Sequence, residues 1–137
     1  LVDCQLLKEV YINLVDQKEP KLDLKNVGIS DLKLKNNFII AKLHEIDFRE
    51  QVDLFQNAEC IVGLHGGGFG NIVFCKPGTK IIELKSFTTG DVIKNLARKN
   101  DLNYIAIERE AKEIYHFEIP NQQGSIHIPT SSLIKVL

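Results

Sequence analysis

A chain of 137 residues with 44% hydrophobic and 26% charged residues is long enough for one good core, and that balance excludes disorder and fibrous architectures. Its formal net charge of −1, from 17 basic and 18 acidic residues, excludes the long-range pull of a nucleic-acid binder, so an anionic ligand has to be held locally by amides and one or two cations. Cys4, Cys60 and Cys75 lack paired metal-ligand spacing, which fits a reducing compartment or simple burial. No apolar run approaches the roughly 18 residues of a membrane span. The chain opens Leu-Val-Asp with neither an initiator Met nor a signal-peptide plan, and reads as part of a longer protein.

From the N-terminus, apolar residues at 6, 7, 10, 11, 14 and 15 form a helical stripe over Gln5–Val15. Glu19-Pro20 ends or follows that helix. Residues 21–37 read as a polar loop with a short strand or helical turn near Ile29–Leu34. Phe38–Leu43 is an expected strand. Asp47, with Glu50 three positions later, opens a helix whose Val52, Phe55 and Ala58 face a sheet. Cys60–Leu64 and Lys80–Leu84 are short β-branched runs suited to buried strands, and Gly70–Phe74 suits the first turns of a helix between them. Thr88 and Asp91 are candidate caps for a helix through Asn100 with Val92, Ile93, Leu96 and Ala97 inward, and Asn103–Ile107 is the next strand. The tail is irregular: Ile114–Ile119 is a strand or a helix end, and Ser131–Leu137 a short helix whose Ile134 and Leu137 close the core. The expected fold is therefore α/β, a single Rossmann-like three-layer domain over residues 1–137. It has a helical and irregular lead-in over 1–37, a parallel β/α core over 38–107 with helices on both faces, and a tail over 108–137.

The stretch His65-Gly66-Gly67-Gly68-Phe69-Gly70-Asn71 carries most of the chemical information. Glycines at the carboxyl end of a parallel strand permit positive φ and close backbone approach, so several amides can converge on phosphate oxygens where a helix begins. A tight bend needed only for packing is the plain alternative. The spacing is neither G-x-G-x-x-G nor G-x-x-x-x-G-K-[ST], and no G-x-S-x-G elbow accompanies it, so the marks of dinucleotide enzymes, P-loop enzymes and lipases are missing. His65 at the strand end is either a donor to a phosphate or sugar hydroxyl, or a structural hydrogen-bonder. Glu83 ends its strand either as an acceptor for ribose hydroxyls or as a carboxylate that caps the next helix or pairs with Lys85. Asn71 donates to a phosphate or caps. His44, His65, His116 and His127 show no metal-binding spacing, so no metal is expected.

Residues 48–84, FREQVDLFQNAECIVGLHGGGFGNIVFCKPGTKIIEL, closely resemble the C-terminal signature of family 61 glycosyltransferases, a group of plant, animal and bacterial capsule-type enzymes. Glu50, Gln51, His65 to Gly68, Asn71, Phe74, Pro77, Gly78 and Glu83 carry the resemblance, which is looser through Phe38–Leu43 and Leu96–Tyr104. Gly67 stands where the motif has Ala, and Phe69 where it has Leu. The resemblance implies the donor-binding C-terminal half of a GT-B-like enzyme that transfers a sugar, with inversion, from a nucleotide donor, commonly a UDP-sugar, to a glycan or protein. An N-terminal acceptor-binding domain is then the partner, and no other cofactor is implied. It also implies that His65, Gly66, Gly67, Gly68, Gly70 and Asn71 hold the diphosphate, His65 stabilising its departure, and that Glu83 meets the nucleoside. A nucleotide-sugar-binding or purely structural Rossmann-like module is the competing function class. A glycine turn blocked by the Phe69 side chain or by the tail would favour the structural form.

Overall fold

The computed structural model describes residues 10–14, 38–111 and 126–137. In chain order the elements are β1 (Val10–Leu14), β2 (Phe38–Ala41), a 3-10 turn (Leu43–Glu45), α1 (Phe48–Gln56), β3 (Ala58–Leu64), a 3-10 segment (Gly67–Phe74), β4 (Lys80–Ser86), α2 (Val92–Lys99), β5 (Asn103–Arg109) and α3 (Thr130–Ile134). One sheet has the order β2-β1-β3-β4-β5. β3, β4 and β5 pair in parallel, so the centre is an open three-stranded parallel sheet flanked by helices, a Rossmann-like α/β arrangement.

The first departure from expectation lies at the N-terminal end of the sheet. Residues 10–14 form a strand, not part of a helix, and the rest of the expected helix over Gln5–Val15 lies outside the described residues. Val10-Tyr11-Ile12 is β-branched and aromatic, and the backbone edges of β2 and β3 need hydrogen-bond partners; tertiary pairing overrides the apolar stripe. Because β1 pairs antiparallel with both neighbours, β2 runs in the direction of β3 without touching it, and the run of four directly paired parallel strands becomes three. The expected elements near Ile29–Leu34 and Ile114–Ile119 lie outside the described residues.

Sequence order then advances across the sheet in one direction. Right-handed connections that all advance the same way fall on the same face, and α1, the 3-10 segment and α2 do so. Phe55, Phe69, Ile72, Ile93 and Ala97 form one core with Ile39, Ile61 and Ile81. The opposite face, carrying Phe38, Ile40, Val62, Ile82, Leu84 and Ile107, is covered by Ile126, Ile128 and Leu133 from the C-terminal segment. Leu133 closes that core and Leu137 packs partly against it, whereas Ile134 is exposed, contrary to expectation. Val92 is likewise exposed, at the first turn of α2, where Ile93 and Ala97 set the inward face.

The caps follow the sequence in one helix and not in the other. Asp47 accepts from the Glu50 amide at 2.8 Å and caps α1 as its spacing predicts. Asp91 precedes α2 but makes no capping bond; its carboxylate reaches Lys85 Nζ at 3.3 Å instead. Thr88 Oγ1 lies 2.7 Å from Ser86 Oγ, within the loop after β4. No helix among the described residues is long and apolar enough to cross a membrane.

Candidate functional site

β4 is buried from Ile81 to Ser86, so its alternation shows which side chains meet which core. Ile82 and Leu84 enter the core under the C-terminal segment, while Ile81 faces the crossover side together with Glu83 and Lys85. Toward its carboxyl end, one side of the strand therefore changes from apolar to ionisable. Glu83 is 0% exposed, and a buried carboxylate of this kind has to be satisfied by donors. Its neighbours across the ladders are Gly63 on β3 and Ala106 on β5, both small, which leaves space beside the carboxyl group.

Both carboxylate oxygens are engaged. Oε1 lies 2.5 Å from His65 Nδ1, and Oε2 accepts a hydrogen bond from the Tyr104 hydroxyl. Main-chain pairing fixes the histidine: the His65 amide donates to the Leu84 carbonyl at 2.9 Å, carrying the β3–β4 ladder one residue past the end of β3. Tyr104 comes from β5, beside Ile81. Burial, the Glu83 hydrogen bond and the Glu83 charge, with smaller contributions from Asp91 and Glu108, push the phenol well above its ordinary range, so it remains a protonated donor. The His65 side chain is 14% exposed, and Nε2 has no hydrogen-bond partner among the described residues. The arrangement is a chain from a half-buried phenol through a buried carboxylate to an imidazole that is 14% exposed.

The glycines follow directly. Gly66 has φ 169° and ψ 178°, an extended conformation open to any residue, and the 3-10 segment begins when the Phe69 amide donates to the Gly66 carbonyl at 3.1 Å. Positive φ, expected of this turn from its composition, is not used: among the described residues Gly78 and Asp101 have it. A Cβ at Gly67 or Gly70 would meet nothing within 4 Å, and one at Gly66 only the Leu64 carbonyl oxygen at 3.9 Å. Neither backbone strain nor crowding within the described chain demands glycine at these three positions. Gly66, Gly67 and Gly70 are exposed and Gly68 is half-buried. Phe69, in contrast, is buried among the crossover-side residues and does not block the turn.

Asn71 lies in the 3-10 segment and turns its amide to α1, donating to Gln51 Oε1 at 2.7 Å. Gln51 in turn donates to the carbonyls of Leu43 at 2.7 Å and Ile46 at 3.2 Å. This network ties the β2–β3 connection to the β3–β4 connection and uses the Asn71 donor within the protein. Glu83 pairs with His65, not with Lys85. Lys85 Nζ instead meets the Gly90 carbonyl at 3.2 Å, Asp91 and, at 3.6 Å, Glu108. The structure thus brings His65, Glu83 and the glycine turn together and leaves Asn71 as their support. The sequence pattern does not single out Tyr104; it joins the site only through the β4–β5 register, which sets it beside Ile81 on the face of Glu83.

Two cysteines among the described residues, Cys60 and Cys75, are free thiols. Burial raises the Cys60 thiol to about 11, Lys80 opposing and Glu59 adding to the effect, and burial raises Cys75 to about 12. Both thiols therefore remain protonated near neutral pH. No group of three metal-ligating side chains occurs among the described residues.

Comparison with known proteins gives a family-level match. Residues 23–82 match the family Glycosyltransferase 61, a span that includes β2, α1, β3 and the glycine turn and ends one residue before Glu83. The chain is 27% identical over 120 residues to the EGF domain-specific O-linked N-acetylglucosamine transferase of Gallus gallus, covering 88% of this chain and 20% of that protein. The proteins of the same name from Pan troglodytes and Mus musculus are 25% and 24% identical over 120 residues, covering 88% of this chain and 21% of each. The chain thus spans about a fifth of the length of these curated relatives. No solved structure matches. The chain is thus similar to glycosyltransferases, to the family Glycosyltransferase 61 over residues 23–82 and to these N-acetylglucosamine transferases over most of its own length.

Proposed function

We propose that this chain is the donor-binding, C-terminal part of an inverting glycosyltransferase of GT-B type that takes a sugar from a nucleotide-sugar, a UDP-sugar as the leading choice, and places it on a glycan or protein. The observation that carries the reading is the exposed turn Gly66–Gly67, lacking an internal reason for its glycines and adjoining an imidazole anchored by a buried carboxylate. Amides at such a turn and a histidine beside it suit a diphosphate at the carboxyl end of a parallel sheet. The names of the relatives point to N-acetylglucosamine as the sugar and to a protein acceptor.

In this reaction the acceptor hydroxyl loses its proton and attacks the anomeric carbon while the bond from that carbon to the diphosphate oxygen breaks. The nucleoside diphosphate leaves with the negative charge. His65 and the amides of Gly66, Gly67, Gly68 and Gly70 are proposed to stabilise that charge, with Asn71 positioning the segment from below. The base that takes the acceptor proton is assigned to a separate acceptor-binding domain of the same protein. Glu83 acts through His65 in this reading, because both of its oxygens are already engaged; the ribose contact implied by the family resemblance does not suit a fully buried carboxylate.

A purely structural module is the second reading, favoured by the inward use of Asn71 and Glu83. Titration with UDP and other nucleotide diphosphates at millimolar concentration, followed by amide chemical shifts, separates the two. Weak binding with shifts concentrated at residues 65–72 is expected, since much ligand burial in such sites comes from a facing domain. A silent turn would leave the structural module.

A further inference from the structure

We propose that Tyr104 is a positioning residue of this site. Through Glu83 it fixes which nitrogen of His65 faces a ligand, so that a diphosphate is met by a doubly protonated ring. The inference rests on the donor-binding reading above and concerns the protons of the same site.

It follows from counting donors and acceptors. A carboxylate only accepts, so the 2.5 Å contact to Glu83 Oε1 places a proton on His65 Nδ1. In a neutral ring Nε2 is then a bare acceptor, and it would meet a phosphate oxygen lone pair to lone pair. Nε2 can donate to that oxygen only if it carries a second proton, giving an imidazolium between Glu83 and the phosphate. Glu83 is fully buried, so each of its oxygens needs a hydrogen-bond donor. The Tyr104 hydroxyl occupies Oε2, which leaves Oε1 as the acceptor for the His65 Nδ1–H and holds the ring in that orientation.

Nearby charges do not replace this pair. The segment Gly67–Phe74 has no ionisable residue; Arg49, Glu50 and Asp53 of α1 and Lys94, Arg98 and Lys99 of α2 are exposed. On the sheet, Lys85 is already held by Asp91 and Glu108. Among the described residues, Glu83 is the ionisable side chain bonded to the ring, and Tyr104 the one bonded to Glu83.

Long-range proton–nitrogen spectra of the nitrogen-15-labelled chain read the ring directly, free and with UDP as the probe. The expected result is a proton on Nδ1 in the free protein and on both nitrogens in the UDP complex. Tyr104→Phe should erase the fixed Nδ1 signature and weaken UDP binding about tenfold, the loss of one hydrogen bond to a charged group. A UDP complex with unprotonated Nε2, a free ring protonated only on Nε2, or a Tyr104→Phe protein with unchanged spectrum and affinity would each overturn the inference while leaving UDP binding in place. Absence of UDP shifts at residues 65–72 would instead remove the donor-binding reading, and this inference with it. Should Tyr104→Phe fail to fold, the wild-type complex decides alone.

Discussion

Gly63 and Glu83 are register partners on β3 and β4, and the missing side chain on one strand is matched by a buried carboxylate on the next. Neighbouring strands lie about 4.8 Å apart, so a side chain at Gly63 would project beside the Glu83 methylenes on the same face. Gly63→Val adds strand propensity yet crowds this position, and overpacking of a closed core costs about 1 to 3 kcal/mol. We expect a net loss of stability in that range by urea denaturation, with the His65 ring signals shifted. An equally stable variant would show that the carboxylate has more room than the register implies.

Lys85 poses a different problem, since its side chain is 2% exposed while those of Asp91 and Glu108, which hold it, are 59% and 43% exposed. Removing the lysine charge returns Asp91 and Glu108 to water at little cost, whereas removing the carboxylates leaves a buried cation with the Gly90 carbonyl. Lys85→Met should therefore change stability by less than about 1 kcal/mol, and the double change Asp91→Asn, Glu108→Gln should cost clearly more, about 2 kcal/mol. Denaturant midpoints of the three proteins test the order; the reverse order would show that the pair is worth more than its desolvation.

Asn71 donates to Gln51, whose own amide is committed to two carbonyls. Asn71→Asp sets a carboxylate against Gln51 Oε1, and turning the Gln51 amide over would abandon the Leu43 and Ile46 carbonyls. A loss of about 1 to 3 kcal/mol is expected, with faster amide exchange in α1. Unaltered exchange there would place the network outside the supports of α1.

Alkaline pH should weaken the fold. Thiols that titrate at 9.0 when unperturbed are raised to about 11 at Cys60 and about 12 at Cys75, and Tyr104 is raised as well. Between the ordinary and raised values the unfolded chain has released protons that the folded chain retains, so the stability these groups contribute is complete below pH 9.0 and falls as pH rises through about 11 and 12. Urea midpoints should decline from pH 9 upward, and Cys75→Ala should decline less steeply. A parallel decline in both proteins would remove Cys75 as a contributor.

What the sequence made legible was whatever depends on short-range pattern. β3, β4 and β5, the Asp47 cap and the glycine turn follow from β-branched runs, a three-residue spacing and composition. Residues 10–14 carry an apolar stripe compatible with a helix, and their strand emerges only when β2 and β3 supply edges to pair with. The site was half legible for a similar reason. His65 and Glu83 stand at strand ends that the pattern locates, but their contact depends on the β3–β4 register and Tyr104 on that of β4–β5, neither of which a linear pattern contains.

The contact between His65 and Glu83 makes the most direct claim on energetics, and a double-mutant cycle isolates it. Glu83→Gln replaces two charge-assisted bonds by neutral ones and brings an amide donor to a site where both neighbours, His65 Nδ1–H and the Tyr104 hydroxyl, donate, so one of them has to turn round and accept in a fully buried place. His65→Ala leaves the carboxylate with Tyr104 as its remaining described donor. Each change alone should cost about 1.5 to 3 kcal/mol, the range for a hydrogen bond to a charged group. Because each removes the same contact, the double variant should lose less than the sum, with a coupling of about 1 to 2 kcal/mol. If stability falls additively, within about 0.5 kcal/mol, the two side chains act independently and His65 is not anchored by Glu83. In a longer protein that transfers sugar, His65→Ala should lower the transfer rate more than donor affinity, because the departing diphosphate carries more negative charge in the transition state than in the bound donor. Equal losses in both would mark His65 as a ground-state binder of the donor.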